Sequence, residues 1–164
     1  MLTVASDVEI REIREALHEF KDWFHGGDNV MMANGQAKGL PDALIKVPAI
    51  SEAIKEIEGI RRLKAKHLMV NRMPPGCKVP VHRDYMEDKK LAWYERWHLP
   101  IATNPKAFYY DEVEGWGTSI HLQEGVWAGP IPYWMFHKVE NLGDTERVHL
   151  VVDLLANEVQ GKYL

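Results

Sequence analysis

The stretch from Phe136 to Leu155, FHKVENLGDTERVHLVVDLL, contains two predicted β-strands and the turn between them. Residues 135–140 and 147–155 carry the alternating or continuous apolar pattern of strands. Asn141, Leu142 and Gly143 supply a turn signal that reverses the chain between them. The same period of two residues begins after residue 65, so the sequence predicts a mainly β protein.

Further strands are predicted upstream of this stretch. They cover residues 66–72, 78–84, 93–103, 106–112 and 118–123. Turn signals such as Pro74-Pro75-Gly76 and Gly129-Pro130 separate the predicted strands, and the absence of predicted crossover helices disfavours a parallel sheet. Seven short strands after a helical N-terminal layer favour an antiparallel sandwich or closed barrel with helices on one outside face.

The first third of the chain is predicted to be helical. Ser6 and Glu9 have the spacing of a capping box, and apolar residues follow at helical intervals, which predicts an amphipathic helix over residues 7–24. Its apolar face would consist of Ile13, Leu17, Phe20 and Phe24. A second, short helix is predicted to begin at Ser51 and end near Gly59. We expect a single domain over residues 1–164, with a helical layer over 1–65 and a jelly-roll core over 66–156.

The composition is that of an ordinary globular domain. The 164 residues include 20 Lys and Arg against 24 Asp and Glu, with 46% hydrophobic residues, which excludes disorder across the whole chain. No basic patch points to nucleic acid or an anionic membrane. Cys77 is the only cysteine, which excludes an intrachain disulfide, a cysteine-based zinc cluster and an iron–sulfur site. With no signal-peptide pattern and no segment of transmembrane length, we expect a cytoplasmic protein.

Two histidines and one aspartate stand where a metal site would require them. His82 and Asp84 are two apart on a predicted strand, so their side chains point to the same face. His137 lies on another predicted strand. Two neutral imidazoles and one carboxylate form the facial triad that holds Fe(II) and leaves positions open for oxygen and a chelating cosubstrate. Arg147, on the next strand, could bind a cosubstrate carboxylate through two parallel hydrogen bonds.

Three motifs in order resemble the aspartyl/asparaginyl β-hydroxylase family of Fe(II)- and 2-oxoglutarate-dependent dioxygenases. They are NRMPPGCKVPVHRD (71–84), RWHLPIATN (96–104) and FHKVENLGDTERVHLVVD (136–153). The resemblance implies a double-stranded β-helix, which is a cupin-like jelly roll. It also implies hydroxylation of an aspartyl or asparaginyl residue, a free amino acid or a similar small carboxylate. Some relatives have glycine in place of the carboxylate ligand, and the retained Asp84 resembles the bacterial branch.

The resemblance also implies roles for individual residues. Iron would be bound by His82, Asp84 and His137, and Arg147 would form a salt bridge with the distal carboxylate of 2-oxoglutarate. The cosubstrate pocket would further include Arg96, His98 and Asn71. The implied cofactors are Fe(II), 2-oxoglutarate and O2, with ascorbate as a support in vitro. The expected partner is a small-molecule or peptide substrate, while the oligomeric state is left open, a monomer included.

Other interpretations of the same residues compete with this one. A cupin could use His82, His98 and His137 around zinc or manganese for hydrolysis or isomerisation. A jelly roll that only binds sugars or other ligands could use the tryptophans, although core packing or a lid over the barrel mouth is favoured for them. His149 shares a face with Arg147 and is compatible with a cosubstrate contact or a structural hydrogen bond. The remaining histidines are interpreted as structural: His18, His25, His67 and His121.

Overall fold

The computed structural model describes residues 1–19, 24–25, 31–33, 42–84 and 92–158, with only the backbone given for 24–25, 31–33, 92 and 157–158. The helices are α1 (Ile10–Glu19), α2 (Asp42–Ile45) and α3 (Pro48–Arg61). The strands are β1 (Leu2–Ala5), β2 (Phe24–His25), β3 (Met31–Ala33), β4 (Lys64–Met73), β5 (Lys78–His82), β6 (Ala92–Ala102), β7 (Ala107–Asp111), β8 (Val126–Ile131), β9 (His137–Asn141) and β10 (Arg147–Glu158).

Two antiparallel sheets form the core of the protein. Over the described residues, the larger sheet has the order β1-β8-β6-β10-β4-β3-β2 and the smaller sheet the order β5-β9-β7. Strand β10 lies at the centre of the larger sheet, with β4 on one side and β6 on the other. The mainly β, two-sheet jelly roll predicted from the sequence is confirmed. Among the helices in the described ranges, none is long and apolar enough to cross a membrane.

Along the central strands, successive side chains point alternately to the hydrophobic core and to the opposite face of the larger sheet. On β10, Leu150 and Val152 face the hydrophobic core, where they pack with Trp97 of β6 and with Ile13 and Ile57 of the helices. The alternate residues of β10 therefore point to the opposite face, toward the smaller sheet. The helices cover one face of the larger sheet, as predicted, and leave its other face to build a site.

The helix boundaries differ from the sequence prediction. Helix α1 begins at Ile10, because the Ser6 hydroxyl donates a hydrogen bond to Glu56 of α3 (2.6 Å) instead of serving a capping box with Glu9. The predicted end near residue 24 is wrong, since Phe24 belongs to β2; Phe20 lies outside the described residues. Helix α3 begins at Pro48 rather than at Ser51, and proline is favoured at the first helical position, where its missing N–H costs no hydrogen bond.

Four strands, β1, β2, β3 and β8, were missed and one was overestimated. Strand β8 contains Gly129-Pro130, which we interpreted as a turn, and β1 is a short, largely exposed edge strand. Residues 118–123 form only one isolated bridge, from Ile120 to Tyr109. Residues 1–65 therefore contribute strands as well as helices, which corrects the purely helical layer that we expected.

Replacing Gly129 with alanine should destabilise the protein. A Cβ atom there would lie 2.6 Å from the Trp97 ring and 2.9 Å from the backbone oxygen of Arg96. We expect the free energy of unfolding to fall by about 1–3 kcal/mol, as in other overpacked sites. Gly59 in α3 is the matched control, because its Cβ would contact nothing within 4 Å and alanine should stabilise the helix by about 0.5–1 kcal/mol. Urea unfolding measures both; equal effects would contradict the prediction.

Candidate active site

A cavity of about 200 Å³ is lined by residues of both sheets. Every residue for which the sequence predicted a metal or cosubstrate role lies on its wall. These are Asn71, His82, Asp84, Arg96, His98, His137 and Arg147. They come from strands β4, β5, β6, β9 and β10 and from the residues just after β5, so the fold collects side chains that are distant in the sequence.

At one part of the wall, His82, Asp84 and His137 present ligand atoms within 4.8 Å of one another. The Nε2 atom of His82 lies 3.4 Å from Asp84 Oδ1, and the Nε2 atom of His137 lies 4.0 Å from Asp84 Oδ2. The pairing of β5 with β9 brings the two histidines opposite each other. This spacing allows all three side chains to coordinate one ion, as in a two-histidine, one-carboxylate site.

Backbone carbonyls orient both imidazoles. His82 Nδ1 lies 2.8 Å from the carbonyl oxygen of Pro80, and His137 Nδ1 lies 2.9 Å from that of Met135. Since a carbonyl oxygen only accepts hydrogen bonds, each Nδ1 must carry the proton. In the neutral rings Nε2 then has a free lone pair on the side of Asp84, which is the tautomer that a metal ligand requires.

The charges around this triad keep Asp84 ionised. Burial is the largest single influence and acts to raise its pKa, but the hydrogen bond with His82 and the positive charge of Arg96 outweigh it and lower the pKa to about 2. The bond with Asp84 raises the pKa of His82, whereas burial lowers that of His137. A carboxylate is therefore available to a cation at neutral pH.

Arg96 lines the cavity as predicted, but its contacts are with protein carboxylates. Its Nε and Nη2 donate to Asp153 at 2.7 and 2.9 Å, and Nη1 donates to Asp84. Burial acts to lower the pKa of Arg96, but the bonds to Asp153 more than offset it and raise the pKa. The role in cosubstrate binding implied for Arg96 stays a prediction, and its observed contacts are an ion pair with each of two aspartates.

Arg147 lies on the cavity wall without a carboxylate ion-pair partner among the described residues. It is 3% exposed, and its guanidinium donates to the sulfur of Met73 (3.4 Å) and to Nδ1 of His149 (3.0 Å). Within the described part of the chain, no Asp or Glu forms an ion pair with it. Burial alone lowers its pKa to about 9. A buried cation without a counter-charge is costly, so this position favours an anionic ligand.

Neutral polar groups surround Arg147. His149 Nδ1 accepts from Arg147 and lies 3.2 Å from Nδ1 of His98, which must therefore be the donor of that pair. Burial, followed by the charge of Arg147, lowers the pKa of both histidines well below the usual value, so both are neutral. His149 lies opposite Asn71 in the β10–β4 register, and His149 Nε2 and Asn71 Oδ1 are buried without hydrogen bonds in the described structure.

Sequence reasoning missed three residues of the site. Asp153 shares the face of Arg147 and His149 on β10, so the period of two could have identified it as an inward-facing acid. Tyr109 of β7 stacks on His137 with ring centroids 5.7 Å apart, and its position on the buried face of β7, where it alternates with the less buried Phe108 and Tyr110, was the available signal. Tyr133 lies against Arg96, and nothing in its sequence context indicated that contact.

The other histidines and the tryptophans largely follow the structural interpretation. His18 is exposed, His121 Nδ1 donates to the carbonyl oxygen of Ala107, and the side chain of His25 lies outside the described residues. Trp97 and Trp127 are fully buried, which confirms core packing for them. Trp93, Trp116 and Trp134 are about half exposed. His98 is absent from the group of possible metal ligands that the described residues bring together.

Comparison with protein families identifies this arrangement. The family model for aspartyl/asparaginyl beta-hydroxylase matches residues 6–157. The chain belongs to this family. The match covers the three helices, every strand except the edge strand β1 and all the candidate ligands of the β-hydroxylase-family cavity. The family predicted from the three sequence motifs is therefore confirmed. A comparison with curated protein sequences gave no match.

Three solved structures share the fold of this chain at low sequence identity. The α-ketoglutarate-dependent carbocyclase SnoK of nogalamycin biosynthesis has a TM-score of 0.67 at 18% identity, over 96% of this chain and 81% of its own. A prolyl-4-hydroxylase from Pseudomonas putida has a TM-score of 0.63 at 12% identity, over 95% and 92%. The viral collagen prolyl hydroxylase of Paramecium bursaria Chlorella virus-1 has 0.62 at 13%, over 96% of each. At these identities the structural similarity establishes only the fold. This member of the β-hydroxylase family has a fold of the type found in 2-oxoglutarate oxygenases.

Proposed function

We propose that this protein is an Fe(II)- and 2-oxoglutarate-dependent dioxygenase that hydroxylates an aspartyl or asparaginyl residue, a free amino acid or a similar small carboxylate. The observation that carries the proposal is the position of Arg147. It is a buried cation without a carboxylate partner in the described chain, on the wall of the same cavity as His82, Asp84 and His137. One cavity thus brings together candidate ligands for a cation and a candidate partner for an anion, which supports the proposal.

The residues present fit both ligands. His82, Asp84 and His137 would hold the iron, because two imidazoles and one carboxylate suit Fe(II). Arg147 would bind the distal carboxylate of 2-oxoglutarate. Two buried polar atoms without hydrogen bonds lie nearby: Oδ1 of Asn71, which lines the cavity, and Nε2 of His149, whose Nδ1 contacts Arg147 on the same strand. When bound, iron and 2-oxoglutarate together activate O2 for insertion of one oxygen atom into a C–H bond, with succinate and carbon dioxide as the coproducts.

The balance of charge supports this pair of ligands. The positive charges of Arg96 and Arg147 match the negative charges of Asp84 and Asp153, and the buried histidines near Arg147 are neutral. A divalent cation together with a dianion keeps this balance, whereas either one alone would leave a net buried charge. Apolar side chains complete the wall and would exclude water from the reaction: Met69, Val79, Ile131 and Val139.

Stabilisation by 2-oxoglutarate should therefore depend on a divalent metal. We expect 2-oxoglutarate to raise the melting temperature when Mn(II) or anaerobic Fe(II) is present, and to have little effect after chelation, because each ligand offsets the charge of the other. Thermal shift assays with both, either and neither measure this. Stabilisation by sugars without metal would favour a binding jelly roll instead, and stabilisation by zinc alone a non-redox cupin.

Activity is measured as succinate release in the presence of Fe(II), ascorbate and 2-oxoglutarate. Screening free amino acids and short peptides for those that increase this release would identify the substrate. We also propose a cytoplasmic location. A protein that releases no succinate with any candidate while folded and loaded with Fe(II) would contradict the oxygenase proposal.

A further inference from the structure

The candidate metal ligand Asp84 is the outer member of a chain of charges that runs into the protein interior. Its Oδ2 atom accepts a hydrogen bond from Nη1 of Arg96. The opposite edge of that guanidinium donates from Nε and Nη2 to the two oxygens of Asp153, at 2.7 and 2.9 Å. The Asp153 side chain is 1% exposed, and Nδ1 of His67 lies 3.6 Å from its Oδ2.

The guanidinium of Arg96 is restrained on its face as well as on its edge. It lies 4.5 Å from the ring centroid of Tyr133, in a cation–π contact. The backbone carbonyl oxygen of Tyr133 also accepts a 2.9 Å hydrogen bond from the backbone N–H of Asp84. With two N–H groups committed to Asp153 and one face covered by Tyr133, Arg96 presents Nη1 to Asp84 in a single orientation.

We propose that Asp153 and Arg96 are positioning residues that limit Asp84 to one metal-binding oxygen, Oδ1. The inference rests on the proposed function. Oδ1 lies 3.4 Å from Nε2 of His82, whereas Oδ2 is the atom held by Arg96 and lies 4.0 Å from Nε2 of His137. A ligating carboxylate whose second oxygen accepts a charge-assisted hydrogen bond is fixed in rotation.

Asp153 has a second effect, because it neutralises Arg96. Without that carboxylate, the guanidinium would have Asp84 as its remaining ion-pair partner in the described structure and would compete with a metal ion for it. The network therefore lets a cation sit beside a metal site without displacing the metal. Asp153 does not line the cavity, so its effect on metal binding must pass through Arg96.

The variant Asp153→Asn tests the inference through metal binding alone. We expect the dissociation constant for Mn(II), measured by calorimetry without 2-oxoglutarate, to rise about 10- to 100-fold, as for other partners of metal ligands. The KM for 2-oxoglutarate at saturating Fe(II) should change less than about twofold, because Arg147 is untouched. A general loss of structure would change both.

Glu95→Gln is the matched control. Glu95 is next to Arg96 in sequence and forms an ion pair of the same kind with Arg61, at 2.8 and 2.9 Å, but it does not line the cavity. Its loss should leave the Mn(II) dissociation constant within about twofold of the unmodified value.

A double variant, Arg96→Met with Asp153→Leu, keeps the test decisive if Asp153→Asn folds poorly. It removes both buried charges together, so neither is left unpaired and folding should be retained. Asp84 still loses its partner, and we expect Mn(II) binding at least about tenfold weaker. Mn(II) affinity within twofold of the unmodified protein in either folded variant would overturn the inference alone. An unmodified protein that binds no Mn(II) would overturn the proposed function and the inference with it.

Discussion

Replacing Asp84 with alanine should abolish both metal binding and 2-oxoglutarate-dependent succinate release. The change removes one ligand and leaves Nη1 of Arg96, a positive group, facing the position of the metal. We expect activity to fall by more than about 100-fold, beyond the effect usual for partners of metal ligands. The protein should stay folded, because Asp153 still pairs with Arg96. Calorimetry with Mn(II) and a succinate assay measure the two losses.

His137→Ala should give the same double loss, because it removes a ligand from the same group. His18→Ala serves as the control: His18 is an exposed histidine on α1, and its removal should leave both measurements unchanged. Mn(II) affinity or succinate release that persists in Asp84→Ala at the unmodified level would mean that these residues do not hold the metal. In this protein the alanine would leave Nη1 of Arg96 without the carboxylate that it contacts at the site.

The inward face of the site was predictable from the sequence because strand side chains alternate. Because Arg147 and His149 are two residues apart on β10, the sequence predicts that their side chains share a face. The same spacing predicts a shared face for His82, at the end of β5, and Asp84, just after it. These alternations also separated the hydrophobic layer, with residues such as Leu150, from the cavity. Motif order then indicated which polar face carries the candidate metal ligands.

What the sequence could not reveal depends on contacts between distant residues. Arg96 and Asp153 are 57 positions apart, and their pairing follows from the β10–β6 register rather than from any local pattern. The capping box failed for the same reason, since Glu56 on α3 takes the Ser6 hydroxyl. Strand β8 was interpreted as a turn because Gly129-Pro130 breaks the strand pattern, but the glycine is needed where the Trp97 ring packs against the backbone.

Replacing Arg147 with methionine should raise stability while it abolishes cosubstrate binding. In the ligand-free protein Arg147 is a buried cation without a carboxylate partner among the described residues, and methionine would fill similar space beside Met73 without that desolvation cost. By analogy with buried ion pairs replaced by apolar residues, we expect the free energy of unfolding to rise by about 1–4 kcal/mol. Urea unfolding of the metal-free protein measures this, and a large loss of stability would contradict it.

The same variant should lose the response to 2-oxoglutarate. Truncating one partner of a buried charge pair costs about 2–5 kcal/mol, so the KM for 2-oxoglutarate should rise roughly 30-fold or more, and its metal-dependent thermal shift should disappear. Arg72→Gln is the control on the neighbouring strand, because Arg72 pairs with Glu146 and does not line this cavity; its KM should be unchanged. An unchanged KM in Arg147→Met would remove Arg147 from cosubstrate binding. A gain of stability together with a loss of cosubstrate binding is expected only where the arginine is retained for a ligand. Replacing an arginine with a structural role would lower both stability and binding.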